Sequence, residues 1–156
     1  MSTESVLLWL AEHAPDLALI DHARSTATVA EAAEVLGIEP GRIAKTLAFR
    51  VGEVNMLLLA RGDARLDNAR CKAEFGGRPR MLSADKTLAL TGHAVGGVCP
   101  FGLANDLPIV ADRSLLAYAT VFPAAGSQTS SVEIEPQRLA ELTGARWVEI
   151  CSLPEG

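Results

Sequence analysis

Helical spacing of apolar residues predicts five helices in this chain. Ser2 or Ser5 can cap the first helix, which runs to about His13 and ends before Pro15. Thr28-Val-Ala-Glu31 is a capping box that opens the second helix, and Gly37 closes it. The other three are predicted over Leu66–Phe75, from Ser83 to before Gly92, and from Pro136 to before Gly144.

Apolar runs bounded by turn residues predict the strands. The runs Ile43–Val51 and Val54–Ala60, separated by Gly52-Glu53, predict an antiparallel hairpin whose second strand is central. Further strands are predicted over Pro108–Ala111, Tyr118–Phe122, Val132–Ile134 and Arg146–Ile150. Because helices and strands do not alternate regularly, we expect an α+β fold: a mixed, mostly antiparallel β-sheet flanked by helices, as a single domain over residues 1–156.

Composition narrows the class of protein. The chain has 156 residues, of which 49% are hydrophobic, enough for one sizeable core. No apolar run approaches a membrane span, so we expect a soluble, cytoplasmic protein. The three cysteines form no CxxC pair and the three histidines are scattered. We therefore expect reduced thiols and no metal, and the lack of GxGxxG and Walker patterns gives no support for a nucleotide cofactor.

Positive charge is concentrated in one segment. The formal net charge is −5, yet residues 61–86 contain seven Lys and Arg against four Asp and Glu. This segment could form a phosphate-attracting surface, or its side chains could simply be solvated. The charge pattern alone leaves both readings open.

Lys45 interrupts an apolar strand face. Ile43, Lys45, Leu47 and Phe49 share a face because successive side chains of a strand alternate. A buried ammonium needs a carboxylate, water or an anionic ligand such as phosphate. Alternatively, the stem of Lys45 extends along the strand and its charge reaches solvent.

The glycine-rich segment 96–102 can bring main-chain N–H groups close to a ligand carbonyl or phosphate, or can be a tight turn. Cys99 lies within it as a possible nucleophile, although no adjacent histidine marks it as a thiolate. Ser127, Ser130 and Ser131 cluster after Gly126 without a GxSxG elbow. A polar hairpin turn is the simpler interpretation of this cluster, with Ser127 able to offer a hydroxyl to a pocket.

Three segments together resemble the YbaK/EbsC family of aminoacyl-tRNA deacylases, which is related to the editing (INS) domain of bacterial prolyl-tRNA synthetases. They are Glu31-Ala-Ala-Glu-Val-Leu-Gly37, Ile43-Ala-Lys-Thr-Leu47, and Thr91-Gly-His-Ala-Val-Gly-Gly-Val-Cys-Pro-Phe-Gly102. The resemblance covers about residues 17–150. It implies a freestanding trans-editing enzyme that hydrolyses the ester of a mischarged aminoacyl-tRNA without a metal or other cofactor.

The resemblance also implies roles for individual residues. Lys45 matches a lysine that engages the phosphate of the terminal nucleotide, while Gly96 and Gly97 match glycines whose amides hold the scissile carbonyl or the attacking water. A ribose hydroxyl helps to activate the water, so the reaction is substrate-assisted. The expected substrate-binding residues are His22, Thr28, Pro100, Phe101, Gly102, Ala124, Gly126 and Ser127.

The resemblance also implies a role for the basic segment, residues 61–86. Phosphate contacts would guide the tRNA acceptor end to the site, and the expected tRNA-binding residues are Arg61, Arg65, Arg70, Lys72, Arg78 and Arg80. Because the rest of the chain is acidic, affinity should be weak, and a synthetase or elongation factor could assist. We expect a monomer or weak homodimer.

Related proteins carry Ser or His where this chain has Ala124. Small lining residues favour a small amino acid such as Ser, Thr, Ala or Cys as the substrate. Loss of the polar side chain also leaves open a noncatalytic module that binds aminoacyl-tRNA or a nucleotide. A small-ester hydrolase that uses Cys99 is the third alternative.

Overall fold

The structure is a computed structural model that describes residues 2–154. Its helices are α1 Ser2–His13, α2 Val29–Leu36, α3 Asn68–Phe75, α4 Ala84–Thr91 and α5 Pro136–Thr143, with 3-10 turns at Pro40–Arg42 and Arg113–Ala117. The strands are β1 Ile20–Asp21, β2 Ile43–Val51, β3 Val54–Arg61, β4 Arg65–Leu66, β5 Arg80–Met81, β6 Ile109–Asp112, β7 Phe122–Pro123, β8 Ser130–Ser131, β9 Arg146–Val148 and β10 Cys151–Ser152.

The main sheet is built around the predicted hairpin. Its strand order is β5-β2-β3-β6-β9, and β7 pairs with the beginning of β2. Across all sheets of the described residues, four strand pairs are antiparallel and three are parallel. The expected α+β fold with a mixed sheet is confirmed, and within the main sheet two strand pairs are antiparallel and three are parallel.

Both faces of the sheet are covered. On one face, Leu59 and Ala111 pack with Val6 of α1 and Leu139 of α5. On the other face, Phe49, Leu58 and Val110 pack with Cys71 of α3. The run Leu57–Ala60 is fully buried, which confirms that β3 is the central strand.

Local signals determine most helix ends. The Thr28 hydroxyl accepts a hydrogen bond from the Glu31 N–H at the start of α2, and Gly37 ends that helix in the left-handed conformation. Ser83 caps α4 in the same way. The first helix begins at Ser2, so the prediction that Ser5 caps it was wrong: Ser5 lies within α1.

Two elements begin or end elsewhere than predicted. Helix α3 begins at Asn68 rather than Leu66, because Leu66 pairs with Cys151 between β4 and β10, and Asp67 caps the helix. The predicted strand Arg146–Ile150 ends at Val148. The buried Asp112 carboxylate accepts hydrogen bonds from the N–H groups of Ile150 and Cys151, which diverts the chain from the sheet.

The segment between β6 and α5 is less regular than its apolar residues suggested. Tyr118–Phe122 is not a continuous strand, since only Phe122–Pro123 pairs with β2. Val132–Ile134 contributes a single bridge, from Ile134 to Val121, while Ser130–Ser131 pairs with β1. Val121 and Val132 are fully buried, so their hydrophobicity reflects packing in the core and does not require a continuous strand.

No helix within residues 2–154 is both long enough and apolar enough to cross a membrane.

Candidate active site

A cavity of about 400 Å³ lies beside β2 and brings together four of the predicted catalytic and substrate-binding residues. Lys45 of β2, Thr28 before α2, Gly96 of the glycine-rich loop and Ala124 all line it. Met81, Leu82 and Thr87 close it from the side of β5 and α4. The cavity therefore joins the three sequence segments that carried the family resemblance.

The cavity lies where the outer edge of β2 is open. Strand β7 pairs with Ile43 and Ala44, and β5 pairs with Phe49 and Arg50, so no described strand pairs with the edge between them. The Ala48 carbonyl points outward, since it accepts a hydrogen bond from the Leu82 N–H at 3.0 Å. Because main-chain direction alternates along a strand, the N–H and C=O of Thr46 face the same open edge. This edge offers main-chain hydrogen-bonding groups that every residue type except proline keeps.

Lys45 is half-buried, and its ammonium is held by main-chain oxygens. Nζ donates to the Gly62 carbonyl at 3.2 Å and to the Ala64 carbonyl. Burial lowers the pKa of Lys45, while the nearby Asp63 carboxylate opposes that change. Two of three N–H donors are thus engaged, which leaves one for a ligand in the cavity.

The two glycines of the loop have different surroundings. Gly96 lines the cavity with φ +95°, a main-chain conformation that residues with a side chain rarely adopt. The buried Gly97 packs against the main chain of Gly126 and Ser127, where an added Cβ would lie 2.8 Å from the Ser127 nitrogen. Its N–H donates to the Ala94 carbonyl at 3.0 Å, so this amide is already used within the loop.

Hydroxyl groups of β8 form one wall of the cavity. Ser130 and Ser131 of β8 line the cavity and are almost completely buried. His22 Nε2 lies 2.7 Å from the Ser131 Oγ, behind that wall rather than in the cavity lining. Ser127 also stands behind the wall, and its Oγ is 2.6 Å from that of Ser130.

Several of the expected substrate-binding residues are not at the cavity. Phe101 is completely buried and packs against Trp9 of α1, with ring centroids 5.3 Å apart. Pro100 and Gly102 line a separate cavity beside Trp9. They lie there because the chain turns toward α1 after Gly97, and Gly102 approaches Ser5 so closely that an added Cβ would lie 2.5 Å from its carbonyl oxygen.

Cys99 is fully buried and does not line the cavity. Burial raises the pKa of its thiol to about 12, although hydrogen bonds from the surrounding main chain act in the opposite direction. Sγ lies 3.6 Å from Nε2 of the buried His93, which also contacts the Phe101 carbonyl. A thiol in this state is protonated at neutral pH, which makes it a poor nucleophile.

The basic segment is exposed and largely without acidic partners. Among the described residues, Arg65, Arg70, Lys72, Arg78 and Arg80 have no carboxylate within ion-pair distance and are exposed. Arg61 differs: it pairs with Asp63 at 2.7 Å and lies over the Tyr118 ring. Outside this segment Arg42, Arg113, Arg138 and Arg146 are ion-paired, whereas Arg24 and Arg50 have no carboxylate of the described residues within ion-pair distance.

Like charges also meet at the edge of the sheet. Arg80 lies directly opposite Arg50 in the β2–β5 register, an arrangement that is unfavourable unless an anion is bound nearby. Arg80 precedes Met81, which lines the cavity, so this positive charge lies close to the site in sequence.

Sequence reasoning missed two features of the site. The Thr46 Oγ1 is buried without a hydrogen-bond partner. The sequence gives no signal for this, because threonine is common in strands. The contact of Ser131 with His22 joins residues 109 positions apart, so no local pattern could reveal it. Within residues 2–154, no group of three or more His, Cys, Asp or Glu side chains is placed to hold a metal ion.

Comparisons with known proteins show which proteins this chain is similar to. The family model of the aminoacyl-tRNA editing domain matches residues 23–142. The protein YwhH of Bacillus subtilis is 46% identical over 129 residues, which cover 81% of this chain and 82% of YwhH. EbsC of Enterococcus faecalis, assigned as a Cys-tRNA(Pro)/Cys-tRNA(Cys) deacylase, is 31% identical over 122 residues, which cover 76% of this chain and 73% of EbsC.

A solved structure extends the similarity to the whole fold. A crystal structure of a protein assigned as a trans-editing enzyme for prolyl-tRNA synthetase superimposes with a TM-score of 0.87 at 34% sequence identity. The match covers 99% of this chain and 98% of that protein.

Proposed function

Because the chain belongs to the aminoacyl-tRNA editing domain family, we propose that it hydrolyses the ester between a wrongly attached amino acid and the 3′-terminal ribose of a tRNA. The observation that carries this proposal is the cavity shared by Lys45 and Gly96 at the open edge of β2. The whole chain, residues 1–156, acts as a single editing domain in trans.

Lys45 and the glycine-rich loop have complementary tasks in this reaction. The remaining N–H donor of Lys45 binds the phosphate of the terminal nucleotide and thereby fixes the position of the ester. The Gly96 amide holds the scissile carbonyl or the attacking water, since no side chain intervenes there. Gly97 supports this loop by packing against Gly126 and Ser127. In a substrate-assisted reaction, a ribose hydroxyl orients the water.

Small residues in the cavity lining favour a small amino acid. They include Ala27, Ala44 and Ala124, together with Thr28. Ser, Thr, Ala and Cys are therefore the proposed substrates. Editing is useful for such residues because one methylene changes binding by only about 1–3 kcal/mol.

The basic segment is the proposed approach for the tRNA acceptor end. Phosphates would neutralise Arg65, Arg70, Lys72, Arg78 and Arg80, whose charges lack carboxylate partners among the described residues. The net charge of −5 keeps the total attraction modest. Help from a synthetase or elongation factor is consistent with such weak binding, as is action in the cytoplasm as a monomer or weak homodimer.

One feature favours a second candidate function. Ala124 lines the cavity, and the family resemblance matches it to a position at which a Ser or His side chain is expected, so the site offers no such polar group there. A noncatalytic module that binds aminoacyl-tRNA would need the cavity but not this group.

Deacylation of a panel of mischarged tRNAs separates the two functions. Hydrolysis of at least one small aminoacyl ester over several turnovers, with a loss of about 100-fold in Lys45→Ala, supports the enzyme. Saturable binding without turnover supports the module. Hydrolysis no faster than the spontaneous rate, or full activity in Lys45→Ala, contradicts the proposed mechanism.

A further inference from the structure

His22 and Ser131 form a hydrogen-bonded pair at the wall of the cavity. Nε2 and Oγ are 2.7 Å apart, within the range in which a histidine can take a proton from a hydroxyl. Ser131 lines the cavity and is 4% exposed, whereas His22 is not part of the lining. The hydrogen bond therefore connects a lining residue to an imidazole outside the lining.

The fold holds this pair in place. Ile20 of β1 lies directly opposite Ser131 of β8, so His22, two residues further along, is a diagonal neighbour on the same face. The main-chain N–H of His22 donates to the Thr129 carbonyl at 2.8 Å, which anchors the base of the side chain. The strand pairing and this main-chain hydrogen bond do not depend on a bond between the imidazole and a serine. The hydrogen bond between His22 and Ser131 is therefore additional to the strand pairing.

The adjacent serine shows what a structural hydroxyl looks like here. Ser130 is equally buried and lines the same cavity, but its Oγ is bonded to the Ser127 hydroxyl and the Ala125 carbonyl. Those partners cannot accept and return a proton near neutral pH in the way an imidazole can. Ser131 is the hydroxyl connected to a proton acceptor.

We propose that Ser131 and His22 form a proton relay that activates the hydrolytic water. This inference rests on the proposed function and supplies its base. The water oxygen attacks the ester carbonyl carbon while one of its protons moves to Ser131 Oγ and the Ser131 proton moves to His22 Nε2. When the carbon–oxygen bond to the ribose breaks, the proton returns through Ser131 to the ribose oxygen. Free amino acid and deacylated tRNA leave.

The relay is compatible with assistance by the substrate. A ribose hydroxyl orients the water but does not accept its proton. Ser131 accepts that proton. Gly96 lines the same cavity as Ser131, so the loop can hold the carbonyl while the relay serves the water. Ser131 is the catalytic residue in this scheme, and His22 acts through it.

The test is a cycle of single-turnover deacylation rates on the best ester of the mischarged-tRNA panel. Ser131→Ala and His22→Gln should each lose 100-fold or more, the usual contribution of a general base. The double variant should be no slower than the slower single one, because the two groups act as a unit. Ser131→Thr keeps the hydroxyl and should lose less than tenfold.

Two further measurements separate a relay from a structural contact. Imidazole in solution should restore at least tenfold of the rate lost in His22→Ala, an effect that a packing role would not show. The matched variant Ser130→Ala, at the neighbouring buried serine, should keep the response of the His22→Ala background to imidazole. Thermal unfolding establishes that each variant is folded.

The outcomes distinguish the relay from the function on which it rests. Wild-type protein that hydrolyses no ester of the panel overturns the proposed function and the relay with it. If wild-type protein is active and Ser131→Ala or His22→Gln stays within threefold of its rate, only the relay is overturned. Losses that multiply in the double variant, or an absence of imidazole rescue, likewise overturn the relay alone.

Discussion

The Lys45 ammonium lies 3.2 Å from the Gly62 carbonyl oxygen, so this side chain ties β2 to the turn that follows β3. Lys45 therefore has a structural role beside its proposed contact with substrate. The structural role can be measured through the pH dependence of stability. Burial lowers the pKa of this amine in the folded state and not in the unfolded chain.

Stability should rise with pH through the titration of Lys45. Between the lowered pKa of the folded protein and the ordinary value of 10.5, the unfolded chain binds more protons than the folded one. The free energy of unfolding of wild-type protein relative to Lys45→Met should therefore increase as pH approaches 10.5. Urea unfolding at several pH values measures this difference. Lys86→Met, which removes an exposed amine, should follow wild type; a flat difference for Lys45→Met would contradict the lowered pKa.

Thr46→Val should stabilise the protein. The Thr46 Oγ1 is buried without a partner, and such a group costs about 1–3 kcal/mol relative to an apolar one of the same shape. We expect the free energy of unfolding, measured with urea, to increase by about 1 kcal/mol. Thr91→Val is the matched control with the opposite sign, since Thr91 Oγ1 bonds the Thr87 carbonyl at 2.7 Å and the His93 N–H at 3.0 Å. Equal effects at both positions would refute this account.

Gly97→Ala should destabilise the protein and slow deacylation. The added Cβ would lie within 2.9 Å of main-chain atoms of Gly126 and Ser127, which cannot move aside as a flexible side chain could. We expect a loss of about 1–3 kcal/mol, the usual cost of overpacking, together with displacement of the loop that carries Gly96.

Gly37→Ala serves as the comparison for the glycine-rich loop. Gly37 has φ +68°, and a Cβ added there would have no neighbouring atom within 4 Å, so only main-chain conformation is affected. The substitution should cost about 1 kcal/mol while leaving the deacylation rate unchanged. Wild-type activity and stability in Gly97→Ala would show that the contact with Gly126 and Ser127 is unimportant.

Arg80→Ala should weaken tRNA binding and reduce its sensitivity to salt. Arg80 is exposed, faces Arg50 across two strands and has no carboxylate partner among the described residues. Loss of one phosphate contact should lower the slope of log affinity against log salt by about 0.7–0.9. Arg113→Ala removes an exposed arginine that pairs with Glu149 at 3.8 Å, and it should leave the slope unchanged. Identical slopes for both variants would exclude Arg80 from the tRNA surface.

Cys99→Ala should retain deacylation activity. The thiol is fully buried, away from the cavity, and its pKa is raised to about 12 by burial. Iodoacetamide at about pH 8 should therefore leave the folded wild-type protein active and should modify Cys99 only in denaturant. Inactivation that tracks alkylation of Cys99, or a loss of activity in a folded Cys99→Ala protein, would restore the nucleophilic cysteine as an alternative.

Features encoded by neighbouring residues could be predicted from the sequence. The hairpin of β2 and β3 follows from two apolar runs around Gly52-Glu53, and the ends of α2 follow from Thr28 and Gly37. These predictions succeeded because the turn and the helix caps are formed by residues that are neighbours in the sequence. Arg146–Ile150 was predicted less well, since Asp112 redirects that segment from far away in the sequence.

The residues of the candidate site also fall into two groups: those that local sequence identifies and those that contacts between distant segments position. Lys45 and Gly96 could be identified because each interrupts a local pattern, and both line the cavity. The path of the chain from Gly97 to Gly102 depends instead on contacts with α1, so the expected roles of Pro100 and Phe101 in binding substrate gain no support from their positions. Side-chain contacts between distant segments, such as His22 with Ser131, leave no trace in local spacing.

The open edge of β2 gives the site main-chain groups that side-chain substitutions leave in place. The N–H and C=O of Thr46 belong to the main chain and persist whichever amino acid other than proline occupies that position. Side chains around the cavity, Ala124 among them, can therefore be exchanged for larger or more polar ones while these two groups stay where they are. Selectivity for one amino acid over another can diverge among homologous proteins without rebuilding the framework that holds the ligand.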